Sequence, residues 1–347
     1  MIPVRPDAAV TPFAGLGPEL VLAAVEAVGL APDGRLLALN SYENRVYRVG
    51  VEPLPDVDAP PHVLTDAVVI KFYRPGRWSD AQIREEHSFA AELVTAELQV
   101  AAPWSRDGES LHRIEGFRYS VFQCWRGSAP ELDATEHRLM LGRSLGRLHA
   151  VGRRQQFQTR GRIAEWECGA RARRELLRMD IIPENLVGNY AAVSGRLVAA
   201  VESSWEAAGP MRGLRLHGDC HLGNVLWNAH GPVFVDLDDC LTGPAVQDLW
   251  MMCSGTSAQR QREWTQLLEG YGQFTEFDHS ELLLVEPLRA MRMLNHAAWL
   301  AARWADPAFP RAFPWFADAR YWERHITELQ EQLEAVEDPP QLQIAGS

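Results

Sequence analysis

Apolar residues recur along this chain with two different periods, and the change between them divides it. In the first third the apolar runs are short and rich in β-branched and aromatic residues. Leu36–Val49 predicts a strand pair folded about Asn40–Asn44, with Val46, Tyr47 and Val49 as strand formers. Ala67–Tyr73 (AVVIKFY) predicts another strand, and Leu111–Gln123 predicts two pieces around the turn Glu115-Gly116. Two helices interrupt them: Pro18–Val28, stopped by Gly29, and Trp78–Leu98, with Ser79 as N-cap. Glu52–Thr65, with four prolines and three acidic residues, reads as an exposed hairpin extension.

The segment Cys124–Pro130 breaks regularity, and the helical period then takes over. Helices are predicted at His137–Ala150, Arg171–Arg178, Leu197–Ala207, Val246–Cys253, Arg262–Tyr271, Leu282–Trp304 and Ala319–Val336. Leu214–Leu216 and Val233–Leu237 are short strands among them. Residues 1–17 and the tail from Asp338 read as loose ends. Strands gathered ahead of helices predict an α+β protein of two lobes, residues 1–125 and 126–347.

Composition narrows the class. A formal charge of −12 gives no long-range attraction to nucleic acid or to an anionic membrane, so neither is an expected partner. Five cysteines with no Cys-x-x-Cys pair argue against zinc and for free thiols in a reducing compartment. Leu20–Leu30 is too short to span a bilayer, and no leader pattern opens the chain, so a cytoplasmic protein is expected. No heptad or apolar edge demands a partner copy, so a monomer is the default. Twelve tryptophans, several of them late (Trp299, Trp304, Trp315, Trp322), predict a well-packed last third.

The chemistry concentrates in His217-Gly218-Asp219-Cys220-His221-Leu222-Gly223-Asn224, followed by Val235-Asp236-Leu237-Asp238-Asp239. An aspartate five residues ahead of an asparagine, with a second carboxylate beyond, suits phosphoryl transfer. Asp219 would take the proton of an acceptor hydroxyl. Asn224 and Asp236 would hold Mg²⁺ through hard oxygen ligands. Gly218 permits a tight turn, His217 reads as a loop-packing residue, and Cys220 as a small buried thiol. Upstream, Val68-Val69-Ile70-Lys71 offers a strand lysine for the phosphates of ATP. On the following helix Ile83, Glu86, Ala90 and Leu93 share one face, so Glu86 is an acid on an apolar stripe and needs a cation. Lys71 is its expected partner, with Glu85 the second candidate. Asp248 is expected to brace the catalytic loop by hydrogen bonds. The loop Leu39–Tyr47 has no Gly-x-Gly-x-x-Gly; Ser41 and its backbone amides could cap phosphates, or the loop is a plain hairpin turn. Val121–Gly127 could present backbone groups to adenine.

HGDCHLGN (217–224), VDLDD (235–239) and VVIK (68–71) resemble the aminoglycoside phosphotransferase/choline kinase superfamily. Further runs over most of residues 36–315 resemble a bacterial branch of it: LNSYENRVY (39–47), VIKFYRPGRW (69–78), GPAVQDLWM (243–251), and EPLRAMR with RWADPAFP (286–292, 303–310). The resemblance implies a kinase-like fold, ATP as donor, and transfer to serine or threonine of protein substrates in a stress-survival role. By position it implies Asp219 as proton acceptor, Asn224 and Asp236 on magnesium, Asp236 also as an active-site residue, and Ser41 on ATP. The missing glycine-rich loop and the absence of phenylalanine after Asp236 depart from ordinary protein kinases. No long segment separates Asp236 from the helix near Val246, which predicts a site competent without an upstream kinase. Two alternatives stay open. In a small-molecule kinase Asp238, Asp239 and Trp299 would accept a cation, whereas Trp304 shares a helical line with Met293, Ala297 and Leu300 and should pack. A non-catalytic nucleotide-binding scaffold would have no need of Asp219.

Overall fold

The computed structural model describes residues 11–53, 63–163, 167–253 and 257–339. Most of the expected Glu52–Thr65 extension (54–62) and the outer parts of both expected loose ends therefore lie outside the described residues. Strands β1 (Pro32–Ala38), β2 (Arg45–Val51), β3 (Val63–Phe72), β4 (His112–Ile114) and β5 (Phe117–Trp125) form an antiparallel sheet ordered β1-β2-β3-β5-β4. The central strand is thus the one that carries Lys71, paired to Val46 on one side and Ser120 on the other.

Alternation along β3 separates two environments. Val68, Ile70 and Phe72 join a core with Val21, Ala24 and Val25 of α1 (Pro18–Ala27). Lys71 points to the other face, where α2 (Asp80–Thr95) lies. Ser79 caps α2 by accepting from the Gln82 amide, while the Gln82 side chain accepts from the Ser79 amide; this reciprocal pair fixes where the helix starts.

The remainder is mainly helical: α3 (Thr135–Gly152), α4 (Glu167–Arg178), α5 (Glu184–Ala208), α6 (Val246–Leu249), α7 (Ser257–Tyr271), α8 (Val285–Ala302), α9 (Ala308–Ala312) and α10 (Ala319–Glu337). Two short antiparallel ladders sit among them, β6 (Leu214–Leu216) with β9 (Leu241–Gly243), and β7 (Val225–Asn228) with β8 (Gly231–Phe234). The architecture is the expected α+β one, a strand-rich first part and a helix-rich remainder. Among the described residues no helix is long and apolar enough to cross a membrane.

Several elements differ from their expected bounds. The strand expected at Val233–Leu237 stops at Phe234, because Asp236 adopts a left-handed backbone (φ 59°) and Leu237–Asp239 turns as a 3-10 helix. The helix expected from Leu197 begins at Glu184 and runs 25 residues, with Gly188 and Gly195 inside it. The helix expected at Val246–Cys253 is α-helical only to Leu249 and then tightens into a 3-10 turn. In the tryptophan-rich last third Trp322 is fully buried, edge-on to Tyr190, and Trp304 packs on Phe316, but Trp315 is exposed.

Candidate active site

Two ladders bring the candidate residues together. The β7–β8 hairpin pairs Val225 with Phe234, so the residues just outside it meet, and the Val235 amide donates to the Asn224 carbonyl at 3.0 Å. The ten residues of the hairpin are folded away, and Asn224 and Asp236 flank one end of it. The β6–β9 ladder pairs Leu216 with Leu241 and so lays His217-Gly218 beside Asp239-Cys240. Gly218 is needed there: its φ is +87°, and a Cβ would stand 2.1 Å from the Asp239 carbonyl oxygen.

The loop between the ladders is fixed from beneath. Asp248 of α6, fully buried, accepts from the amides of His217 (2.7 Å) and Gly218 (2.9 Å). His149 of α3 holds the same carboxylate at 3.1 Å and in turn meets the Tyr271 hydroxyl at 2.9 Å. Gln247 donates to the Gly218 carbonyl at 2.8 Å. His217 contacts the Val235 carbonyl through Nε2 at 2.9 Å, in keeping with a packing role. Cys220 is fully buried, and burial pushes its thiol well above the ordinary range.

Asp219, about a quarter exposed, projects from this loop toward α8. Arg292 Nη1 donates to its Oδ1 at 2.5 Å, and His221 Nε2 lies 3.5 Å from Oδ2. Burial works against the charge on Asp219, but His221 and Arg292 overcome it and hold the carboxyl well below the usual carboxylate range. The Asn224 amide nitrogen donates to the Asp219 carbonyl at 3.0 Å, which leaves the Asn224 side-chain oxygen for another partner. Asp236 is half exposed, with Oδ1 3.0 Å from Lys71. An amide oxygen beside a solvent-facing carboxylate is a donor set suited to a hard divalent cation that shares its remaining sites with phosphate and water.

Lys71 is buried and surrounded by carboxylates: Asp238 at 2.9 Å, Asp236 at 3.0 Å and Glu86 at 3.7 Å. Burial opposes its charge, yet Asp236, Asp238 and Glu86 together hold its pKa well above the ordinary value. The expected Lys71–Glu86 contact is present, but Glu86 has a nearer cation: Arg160 Nη2 lies 2.8 Å from it and is also buried. Glu85, the second candidate, does not reach Lys71. It accepts from the amides of Gln158 (2.5 Å), Thr159 (2.9 Å) and Arg160 (2.9 Å), and so pins the loop that delivers Arg160.

The Asp238-Asp239 pair is not an open cation trap. Arg77 is bonded to both, at 2.6 Å to Asp239, and Asn44 donates to Asp238 at 3.2 Å. Ser41 lines the same cavity and donates to the Asn44 carbonyl at 3.3 Å. Its neighbour Glu43 is held by Arg303 (2.5 Å), by the Trp299 indole N–H (2.6 Å) and by Arg74 (3.3 Å). Trp299 therefore both lines the cavity and ties the 39–44 loop to α8. The connector 121–127 spans the last residues of β5 and the exit from the sheet, where Ser128 and Trp227 exchange backbone bonds at 2.8 and 3.0 Å. The half-open cavity measures about 590 Å³.

Arg160, Arg77, Glu43, His221 and Arg292 were not singled out by the sequence reading. Four of the five lie outside regular helices and strands, where no period marks the inward-facing positions.

A lysine on the central strand, a carboxylate on the adjoining helix, and an Asp–Asn–Asp set between two short ladders define a phosphotransferase of the protein-kinase-like fold. The chain belongs to the phosphotransferase enzyme family, whose pattern matches residues 35–285. It is 42% identical over 328 residues to stress response kinase A of Escherichia coli (strain K12), covering 94% of this chain and 96% of that one. It is equally similar, over the same spans, to the serine/threonine protein kinase RdoA of Salmonella typhimurium (strain LT2). Among solved structures, an amicoumacin kinase in complex with AMP-PNP, Ca²⁺ and amicoumacin superposes with a TM-score of 0.67 over 93% of this chain and 95% of that one, at 17% identity, which speaks to the fold alone.

Proposed function

We propose that this phosphotransferase moves the γ-phosphoryl group of ATP to serine or threonine hydroxyls of proteins, in a stress-response role. The observation that carries it is the placement of Asp219, ionised and about a quarter exposed, on one cavity wall with Asn224 and Asp236, the latter held by the buried Lys71. Asp219 would accept a hydrogen bond from the acceptor hydroxyl, orient its oxygen and take its proton. Lys71 would exchange its contact with Asp236 for the α- and β-phosphates while Glu86 stays in place. Asn224 and Asp236 would hold Mg²⁺, which supplies charge neutralisation on the phosphates when bound. Ser41 and the 39–44 loop would cover the phosphates, and the 121–127 connector would meet adenine. Because phosphoryl transfer asks mainly for positioning and charge stabilisation, a carboxylate of low pKa suits it: Asp219 stays ionised throughout the neutral range. The protein acceptor and the stress role are supported by the names of relatives that match nearly end to end. A soluble cytoplasmic monomer, divided near residue 125, is part of the same proposal.

A small-molecule kinase is the second reading, favoured by a cavity of about 590 Å³, large enough for a drug-sized acceptor. The pairing of Arg77 with Asp238 and Asp239 weighs against a cationic acceptor at those carboxylates.

Nucleotide titrations separate the roles. Asp219→Ala should bind Mg-ATP as the parent does and lose transfer by about 10²–10⁴-fold. Asp236→Ala should lose the magnesium dependence of nucleotide binding itself. Transfer that persists in Asp219→Ala would remove the proposed role of that residue.

A further inference from the structure

We infer that Arg292 selects acceptors whose hydroxyl is flanked by a carboxylate, so that the protein substrate of this site is a serine or threonine within an acidic stretch. The inference rests on the protein-kinase reading above and specifies its acceptor.

Arg292 stands on the α8 wall of the cavity, with its Nη1 on the carboxylate that the acceptor hydroxyl must reach. It is 45% exposed, and its remaining N–H groups meet no acceptor among the described residues. The α8 positions facing the cavity are Leu288, Met291, Arg292, Asn295, His296 and Trp299, one helical face without a carboxylate. The acidic groups elsewhere around the cavity each already hold a cation: Glu43 holds Arg303, Asp236 holds Lys71, and Asp238 and Asp239 hold Arg77. His296 adds no positive charge, since burial and the nearby Arg292 lower its pKa.

An amine on the acceptor would therefore find no free carboxylate on this wall and would meet the like charge of Arg292 beside Asp219. A carboxylate would meet the open edge of a planar guanidinium, which accommodates two parallel hydrogen bonds. Because Arg292 touches the carboxylate that would receive the hydroxyl, the side chains within its reach are those close to the acceptor residue in the peptide. The net charge of −12 provides no steering of an acidic substrate, so the selection must be made at contact and should survive at physiological salt.

Serine peptides of equal length, flanked on both sides by aspartate, by alanine or by lysine, test the assignment with labelled ATP and Mg²⁺. The parent protein should favour the acidic peptide over the basic one in kcat/KM by about tenfold or more, mainly through peptide KM. Arg292→Ala should flatten the series, Arg292→Glu should invert it, and Arg292→Lys should keep its direction. Thermal melts check that each variant is folded, and the parent's own peptide ratio decides the matter if one is not. Equal use of acidic and basic peptides by the parent overturns the inference and leaves the protein-kinase reading standing. So does an Arg292→Ala variant that loses kcat on every peptide alike with the ratio intact. If no peptide is labelled while Mg-ATP binds, the protein-kinase reading falls and takes this inference with it.

Discussion

Asp248 carries more of the site than its distance from the reacting atoms suggests. Its two oxygens each take one amide of the 217–224 loop, and His149 keeps the carboxylate in place. Asp248→Asn must turn one amide nitrogen toward a backbone N–H. It should lose about 2–3 kcal/mol in urea unfolding and lower kcat more than it raises the KM for ATP. Glu281 supports the same region by accepting from the Val246 amide at 2.8 Å, and burial pushes its pKa up to about 7 from an ordinary 4.5. A carboxyl raised in the folded state binds more protons there than in the unfolded chain, so its contribution is fully present below pH 4.5 and is lost as pH rises through 7. The change amounts to at most about 3 kcal/mol, and Glu281→Gln should flatten the stability profile between those values. Single residues of this kind were partly legible in advance. Asp248 and Glu86 could be read because an acid on an apolar helical face demands a partner. Arg160 could not, because its loop has no period and its anchor, Glu85, looked like a competitor for Lys71.

At the scale of elements, the close packing of α3 on α7 positions His149 and Tyr271. It depends on glycines: a Cβ on Gly142 would lie 2.1 Å from the Leu267 carbonyl oxygen, and one on Gly270 would lie 2.2 Å from that of Leu139. Gly142→Ala must push the helices apart. It should cost about 1–3 kcal/mol or more in thermal or urea unfolding and should disturb the His149–Asp248 contact, despite the better helix propensity of alanine. Of the four short strands around the 217–224 loop, β6 and the body of β8 were legible from their apolar runs, whereas β7 and β9 were not. The early end of β8 was not, because the left-handed turn at Asp236 is imposed by the surroundings, and aspartate tolerates it without advertising it. The first half of α5 was missed for the opposite reason. Gly188 and Gly195 look like breakers in sequence, and only tertiary packing of Leu186 and Tyr190 shows that the helix runs through them.

Across the whole molecule, the sheet is fastened to the helices at the mouth of the cavity. Glu43 from the β1–β2 loop meets Arg303 and Trp299, and Arg74 after β3 meets Asp306 at 2.8 Å. Burial opposes the charge on Glu43, but Arg77, Arg303 and Arg74 prevail and hold its pKa below the ordinary value. Glu43→Ala leaves two buried guanidinium groups short of a partner. It should lower stability by about 3–5 kcal/mol and weaken ATP binding through the loosened 39–44 loop, as thermal unfolding with and without nucleotide would show. The two-part architecture was legible from the change of period, but these fastenings join residues 232 to 260 positions apart and leave no local mark. The central claim concerns what the assembled cleft does. Labelled ATP and Mg²⁺ supplied with a generic protein substrate, and separately with choline and with an aminoglycoside, should label serine or threonine of protein in the parent and leave it unlabelled in Asp219→Ala. Label confined to the small molecules, or nucleotide binding with no transfer at all, would contradict the account.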